Sequence, residues 1–243
     1  MHSLFNRTFR DACANAFVVV AVAAAGCGPS GGSSVNTVSG NDASGDVIPT
    51  SGPYQPMTVG DTWLYHVNDK GVKYDKTATF EAQEDEGGPK AGTQGFRMRE
   101  SFPANVQLTW YHQEGQTVVR DHEQALDSSN TLTSEDWYDP YRLRVDETPD
   151  HLVGGANWTW TYKDTHSSRS KPTATTSLTE SWKVDAVDEA VTVPAGTFAS
   201  LRLTHVDPTD GSTKTYWFVR GVGKAREETS AGHIEELASY QLK

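Results

Sequence analysis

Regular alternation of aromatic and apolar residues limits the folds that this chain can adopt. In two segments an aromatic or apolar residue recurs at every second position: Trp63, Tyr65 and Val67 in the first, and Trp158, Trp160 and Tyr162 in the second. Because successive side chains of a β-strand point to opposite faces, this spacing places each set on one face of a strand. No segment carries an apolar stripe at helical spacing. The alternation therefore predicts a mainly β fold with little helix.

Turn-forming residues divide the chain into many short strand candidates. Pro194-Ala195-Gly196 predicts a tight turn, because Pro194 fixes φ and Gly196 tolerates a positive φ. Asp207-Pro208-Thr209-Asp210-Gly211 predicts a hairpin loop. Residues 121–136 are polar and lack a clear period, so we expect a loop there.

The two halves of the body, 54–150 and 151–243, resemble each other. Each begins with a glycine followed by an alternating aromatic strand, and each later carries an aromatic pair before a glycine turn. The pairs are Trp110-Tyr111 and Trp217-Phe218. This spacing predicts two repeated β-meanders within a single domain, 54–243. One curved antiparallel sheet or a half-open barrel would bury both aromatic faces.

Residues 1–26 are typical of an export signal. Arg7 and Arg10 precede a mostly apolar run, Ala12 to Ala25, that is too short to span a membrane. The small residues before Cys27 resemble a lipobox, which implies cleavage before Cys27 and acylation of this cysteine, including by palmitate. The alternative is an ordinary secretory signal, cut near Ala23 to Ala25.

The segment 27–53 is rich in Gly, Ser and Asn and predicts a flexible tether after the lipidated Cys27. Gly28, not Asp, follows the cysteine, which by resemblance to Gram-negative lipoproteins implies the outer membrane. We therefore expect a lipid-anchored protein of the cell envelope, on the periplasmic or the surface side. The membrane is the expected partner through this anchor.

A turn-and-strand signature lies in the last third of the chain: Val193 to Phe198 (VPAGTF), Tyr216-Trp217 and Gly221 to Gly223. It resembles a group of uncharacterised bacterial lipoproteins placed near the lipoprotein-carrier half-barrels of the LolA/LolB kind. The resemblance implies a curved antiparallel sheet whose concave face can hold acyl chains. It carries no catalytic residue.

Charge and motif content exclude several functions. The net charge of −11 argues against nucleic-acid binding, which needs basic surface. Both cysteines, Cys13 and Cys27, precede the predicted domain. The body histidines form no HExxH or His-x-His pattern: His66, His112, His122, His151, His166, His205 and His233. No nucleophile elbow or phosphate loop is present, so we expect no catalytic residue, no metal site and no cofactor.

The aromatic faces are the sequence feature most typical of a binding site. Seven residues are candidates for lining an apolar concave cavity: Trp63, Tyr65, Trp158, Trp160, Tyr162, Trp217 and Phe218. The alternative is plain core packing. The leading hypothesis is a non-catalytic lipoprotein that binds a lipid or another apolar or amphiphilic ligand. A structural or assembly lipoprotein acting through protein contacts is second, and an envelope hydrolase third.

Overall fold

The computed structural model describes residues 51–243, which form one antiparallel sheet of twelve strands. Apart from two short 3-10 turns, Gly88–Lys90 and Pro149–His151, these residues contain no helix. None of the helices in this part of the chain has the length and apolar character needed to cross a membrane. The strands are β1 (Thr62–Asp69), β2 (Val72–Asp85), β3 (Gln94–Ser101), β4 (Asn105–Glu114), β5 (Thr117–Asp127), β6 (Leu132–Asp146), β7 (Asn157–Ser168), β8 (Lys171–Val193), β9 (Gly196–Val206), β10 (Thr213–Val219), β11 (Gly223–Thr229) and β12 (His233–Gln241).

The mainly β, antiparallel prediction is confirmed, but the sheet closes completely. Each strand pairs with its neighbours in the sequence, and β1 pairs with β12 from Thr62↔Gln241 to Asp69↔His233. The expectation of a half-open barrel is therefore corrected to a closed, up-and-down barrel of twelve strands. Closure provides hydrogen-bond partners for the outer edges of the first and last strands, which a half-open sheet leaves unpaired.

The polar segment 121–136, predicted as a loop, is mostly strand. It contains the second half of β5 and the start of β6, joined by a short turn after Asp127. The turn is built around the Asp127 carboxylate, which accepts hydrogen bonds from the backbone amides of Ser129 and Thr131 at 3.0 Å each. The loop prediction was wrong because these strands direct charged rather than apolar side chains into the barrel, so apolar alternation is lost.

The apolar core fills the end of the barrel at which the chain enters and leaves it, called here the terminal end. The predicted face of β1 is buried there: Trp63, Tyr65 and Val67 are all almost inaccessible to solvent. Trp63 packs edge-on against Phe80, with ring centres 5.8 Å apart. The predicted turn after Val193 also lies at this end, since β8 ends at Val193 and β9 begins at Gly196.

The segment that precedes β1 packs on the terminal end. Tyr54 is 1 % exposed, its backbone amide donates to Glu147 Oε1 at 2.7 Å, and the Arg220 guanidinium lies 4.2 Å from its ring centre. The amide of Gly221 donates to the Pro53 carbonyl at 2.8 Å. Gly221 has φ +67°, and a Cβ there would lie 2.2 Å from the Ser51 carbonyl oxygen, so the close approach requires glycine. The opposite end, formed by the β5–β6, β7–β8 and β9–β10 hairpins, is called the hairpin end.

Candidate ligand-binding cavity

The half of the barrel towards the hairpin end contains a polar cavity of about 230 Å³. Its walls come mainly from β5 to β10, and its outer lining includes Thr176 on β8 and Thr209 in the β9–β10 loop. Because a water molecule occupies about 30 Å³ of liquid, this volume corresponds to roughly seven or eight waters. The lining contains arginine, lysine, aspartate, glutamate, histidine and tyrosine side chains, which suit a small polar ligand.

Three arginines on two adjacent strands dominate one wall. Arg120 on β5 is the register partner of Arg142 on β6, and Arg144 lies two residues further along β6. Like charges placed directly opposite each other destabilise a sheet unless anions offset them. The positive charge of Arg120 is offset by Glu123, whose Oε2 lies 2.7 Å from Arg120 Nη1, and the charge of Arg142 is offset by Glu180. Both pairs are formed within the barrel itself.

Arg144 differs from these two arginines because no carboxylate within residues 51–243 lies within 4.0 Å of its guanidinium. Its Nε donates to Gln55 Oε1 at 3.4 Å, and its guanidinium lies 4.9 Å from the ring centre of Phe218 and 5.5 Å from that of Tyr216. Arg144 and Lys224 both line the cavity. Arg144 thus presents a guanidinium without a paired carboxylate at the aromatic floor of a water-accessible cavity, an arrangement suited to an anionic group.

Glu180 is the fully buried carboxylate of the site. Its Oε1 lies 2.6 Å from Arg142 Nε and 3.1 Å from His205 Nε2, and it accepts a hydrogen bond from the Tyr162 hydroxyl at 3.1 Å. Burial by itself raises the pKa of Glu180, but Arg142 and His205 outweigh burial and lower the pKa to about 2. Glu180 is therefore ionised at neutral pH, and Arg142 is already paired.

A second charge network lies inside the barrel and connects side chains of β11, β12, β2 and β3. Lys224 Nζ lies 2.6 Å from both Glu227 Oε2 and Glu235 Oε2. Lys76 Nζ contacts the same Glu235 oxygen at 2.6 Å and Glu100 Oε1 at 2.9 Å. Burial raises the pKa of Glu235, but the two lysines hold it well below its usual value. The network is internally satisfied and fixes the positions of the lysines.

Carboxylates occur together on the wall formed by β6 and β7. His166 Nδ1 and Asp136 Oδ1 are 2.6 Å apart, and Asp164 lies two residues before His166 on the same face of β7. Burial, and then the negative charge of Asp136, raises the pKa of Asp164 to about 7. Ser134 also lines this part of the cavity. The cavity therefore has the guanidinium of Arg144 at its floor and hydrogen-bonding carboxyl groups near Asp164.

The seven aromatic candidates occupy different environments, and Tyr162 is the one among them that lines the cavity. Trp63, Tyr65 and Phe218 are buried in the barrel. Trp158 stacks between His151 and Trp182, and Trp160 stacks on Tyr141, with its Nε1 donating to the Tyr141 carbonyl at 2.7 Å. Trp217 precedes Phe218 on β10 and so faces the opposite side, where the Arg226 guanidinium lies 5.4 Å from its ring.

Sequence reasoning missed the charged lining. Arg120, Glu123 and Asp136 fall in or beside the segment taken for a loop, and Arg142 and Arg144 lie just beyond it. One pattern could have indicated them: Arg142 and Arg144 alternate with Leu143 and Val145. Such alternation identifies a strand with a charged face, but it does not reveal that this face lies inside a barrel.

The predicted signal at 1–26, the predicted lipidation of Cys27 and residues 27–50 of the predicted tether, 27–53, lie outside the described residues. Six strands fall within 54–150 and six within 151–243; the internal duplication itself stays a prediction. No protein-family model, curated protein or solved structure matches this chain.

Proposed function

We propose that this chain is a lipid-anchored, extracytoplasmic lipoprotein whose barrel binds a small polar ligand with an anionic group, and that it does not catalyse a reaction. The observation that carries the proposal is Arg144, a guanidinium at the cavity floor with no carboxylate of residues 51–243 within 4.0 Å. Arginine recognises carboxylate or phosphate through paired hydrogen bonds. A ligand oxyanion at this position would offset the charge of Arg144.

The polarity of the cavity favours one of two kinds of ligand. The acyl-chain ligand implied by the resemblance to lipoprotein carriers requires an apolar lining, and most lining side chains here are charged or hydroxylated. Tyr216, whose ring centre lies 5.5 Å from the Arg144 guanidinium, and Trp182, which stacks on Tyr216, supply aromatic surface to the lining. These surfaces can contact the carbon skeleton of a small amphiphilic ligand while Arg144 binds its anionic group. The lining thus favours a small anionic or zwitterionic metabolite.

The proposal includes the lipid anchor that the sequence predicts at Cys27. Acylation at Cys27 would hold the protein at the outer membrane. The tether joins the barrel beside its terminal end, so the cavity lies towards the end remote from the attachment point. The expected result of Cys27→Ser is release of the protein from the membrane fraction into the soluble fraction. Continued membrane association of this variant would contradict lipidation at this residue.

The decisive experiment is calorimetric titration of the full chain in detergent with inorganic phosphate, with succinate and, as the apolar arm, with a fatty acid. We expect one of the anions to bind and Arg144→Met to weaken that binding about 10- to 100-fold, the loss expected for one charge-assisted hydrogen bond. Arg202→Met is the matched control, because Arg202 pairs with Glu189 on the outer surface. Binding of the fatty acid alone, or unchanged binding by Arg144→Met, would contradict the proposal.

The other two hypotheses have different support. An assembly role through free sheet edges is disfavoured because each described strand pairs with two neighbours. A hydrolase remains a second candidate for one reason: the Asp136–His166 pair lies on the same wall as Ser134. Assay against nitrophenyl ester and phosphate substrates tests it directly. We expect no turnover, whereas turnover that disappears in His166→Ala would establish the enzyme instead.

A further inference from the structure

A second cluster lies on the outer surface of the barrel, beneath the loop that joins β2 to β3. It consists of Glu86 at the start of this loop, His112 on β4 and Asp121 on β5. One ligating atom from each of the three lies within 4.8 Å of the others. His112 Nδ1 contacts Asp121 Oδ2. The cluster is separate from the interior cavity.

Strand geometry places Asp121 in this cluster. Trp110 pairs with His122 and Tyr111 with Arg120, so Asp121 is the extra residue of a β-bulge. The bulge directs the Asp121 carboxylate to the outer side, beside His112. The loop that carries Glu86 is itself held by Asp85, whose carboxylate accepts hydrogen bonds from the amides of Gly87 and Gly92 at 2.8 and 2.9 Å.

Glu86 is the observation that points to a missing ligand. It is 7 % exposed, and neither of its carboxylate oxygens accepts a hydrogen bond from a donor group of residues 51–243; its neighbour is the carboxylate of Asp121. A buried carboxylate without a partner is costly, so it normally binds a proton or a cation. Gly95 leaves room for this side chain, since a Cβ at Gly95 would lie 2.3 Å from Glu86 Oε1.

We propose that Glu86, His112 and Asp121 bind a divalent transition-metal ion such as Zn²⁺. One imidazole and two carboxylates are a donor set found at such ions. Ligand atoms about 2.1 Å from a tetrahedral ion lie roughly 3.4 Å apart. His112 Nδ1 and Asp121 Oδ2, which are now in contact, would therefore separate on binding, and the other distances in the cluster, at most 4.8 Å, would adjust to this value. Water would supply the fourth position, because an open cavity of about 610 Å³ borders His112 and Asp121.

Lys90 competes with a metal at this site. Its Nζ lies 2.9 Å from Asp121 Oδ1 and also donates to the Pro140 carbonyl. Metal binding therefore requires the Lys90 ammonium to move away from Asp121, which its flexible side chain permits. Lys90 forms no ion pair with Glu86 within 4.0 Å, so its movement would not remove a contact from that carboxylate. Removing the Lys90 charge should strengthen metal binding, which distinguishes a metal site from a merely structural ion pair.

The test uses the full chain in detergent, stripped of metal with a chelator and titrated with Zn²⁺ and Co²⁺. We expect one ion per chain, a visible Co²⁺ absorption spectrum that depends on His112, and a melting temperature raised by roughly 5 to 10 °C at a hundredfold excess of Zn²⁺ over the Kd. Glu86→Gln and His112→Ala should each weaken binding at least tenfold, and Lys90→Met should tighten it.

His66→Ala is the matched control, because His66 Nδ1 lies 2.8 Å from Asp75 Oδ1 in an exposed pair that no third potential ligand residue of 51–243 joins. It should leave Zn²⁺ and Co²⁺ binding unchanged. The proposal is overturned if neither ion binds, or if Glu86→Gln and Lys90→Met both bind Zn²⁺ as the wild type does. Absence of binding would mean that Glu86 instead retains a proton next to Asp121.

Discussion

Arg142 Nε lies 2.6 Å from Glu180 Oε1, and Glu180 is fully buried. Glu180→Gln removes the negative charge while keeping the shape, and it leaves Arg142 without its carboxylate. We expect this variant to lose about 3–5 kcal/mol of unfolding free energy, as when one partner of a buried ion pair is removed. Denaturant unfolding measures the loss. Lys163→Ala is the control, since Lys163 and Asp139 form an exposed pair 3.7 Å apart and should contribute under about 1 kcal/mol.

Acid should weaken the fold through the same carboxylate. The pKa of Glu180 falls from 4.5 to about 2 in the folded protein, because Arg142 and His205 outweigh the opposing effect of burial. A carboxyl group whose pKa is lower in the folded state than in the unfolded state stabilises the protein at pH values above its unfolded pKa. This stabilisation is lost as the pH falls from about 4.5 to 2. We therefore expect the stability difference between wild type and Glu180→Gln to shrink between pH 6 and pH 2.5. A difference that is constant across this range would contradict the assignment.

Asp164 should have the opposite pH dependence. Burial and the charges of Asp136 and Glu123 raise its pKa from 3.8 to about 7, against the opposing charges of Arg142 and His166. A raised folded pKa means that the folded state retains a proton that the unfolded state has lost, so stability declines as the pH rises from about 4 to 7. Asp164→Asn removes the titrating group. We expect this variant to be more stable than wild type at pH 8 and to differ little at pH 4, measured by thermal unfolding in both buffers.

Trp63 anchors the core to the β10–β11 turn. Its Nε1 donates to the Val222 carbonyl at 2.6 Å, and the side chain is 1 % exposed. Trp63→Phe removes the donor and leaves a buried carbonyl without this partner, so we expect a loss of about 1–3 kcal/mol in unfolding free energy. Trp217→Phe is the control: Trp217 is only partly buried, and phenylalanine retains a ring beneath Arg226, so a change of about 0.5 kcal/mol or less is expected. Equal losses in the two variants would contradict a specific role for the hydrogen bond.

Local sequence patterns predicted the strand content and most of the turns. Alternation predicted β1 and β7 correctly, because a strand with one apolar face and one polar face has period two whatever it packs against. Pro194 and Gly196 specified the β8–β9 turn through their own backbone preferences. The prediction of a loop at 121–136 was wrong, because the sequence pattern does not distinguish charged residues on the inner face of a strand from the polar residues of a loop.

The closure of the barrel and the positions of both candidate sites depend on contacts between strands that are distant in the sequence. Pairing of β1 with β12 joins segments separated by most of the described chain, and no local pattern encodes that contact. Closure turns the inner face of β6 into a cavity wall, which is why Arg142 and Arg144 point into an interior. Glu86, His112 and Asp121 come together through a loop and a bulge, so their sequence spacing matches no metal motif. Chemistry that depends on distance in space, such as ion pairing and metal binding, becomes visible only when the fold is known.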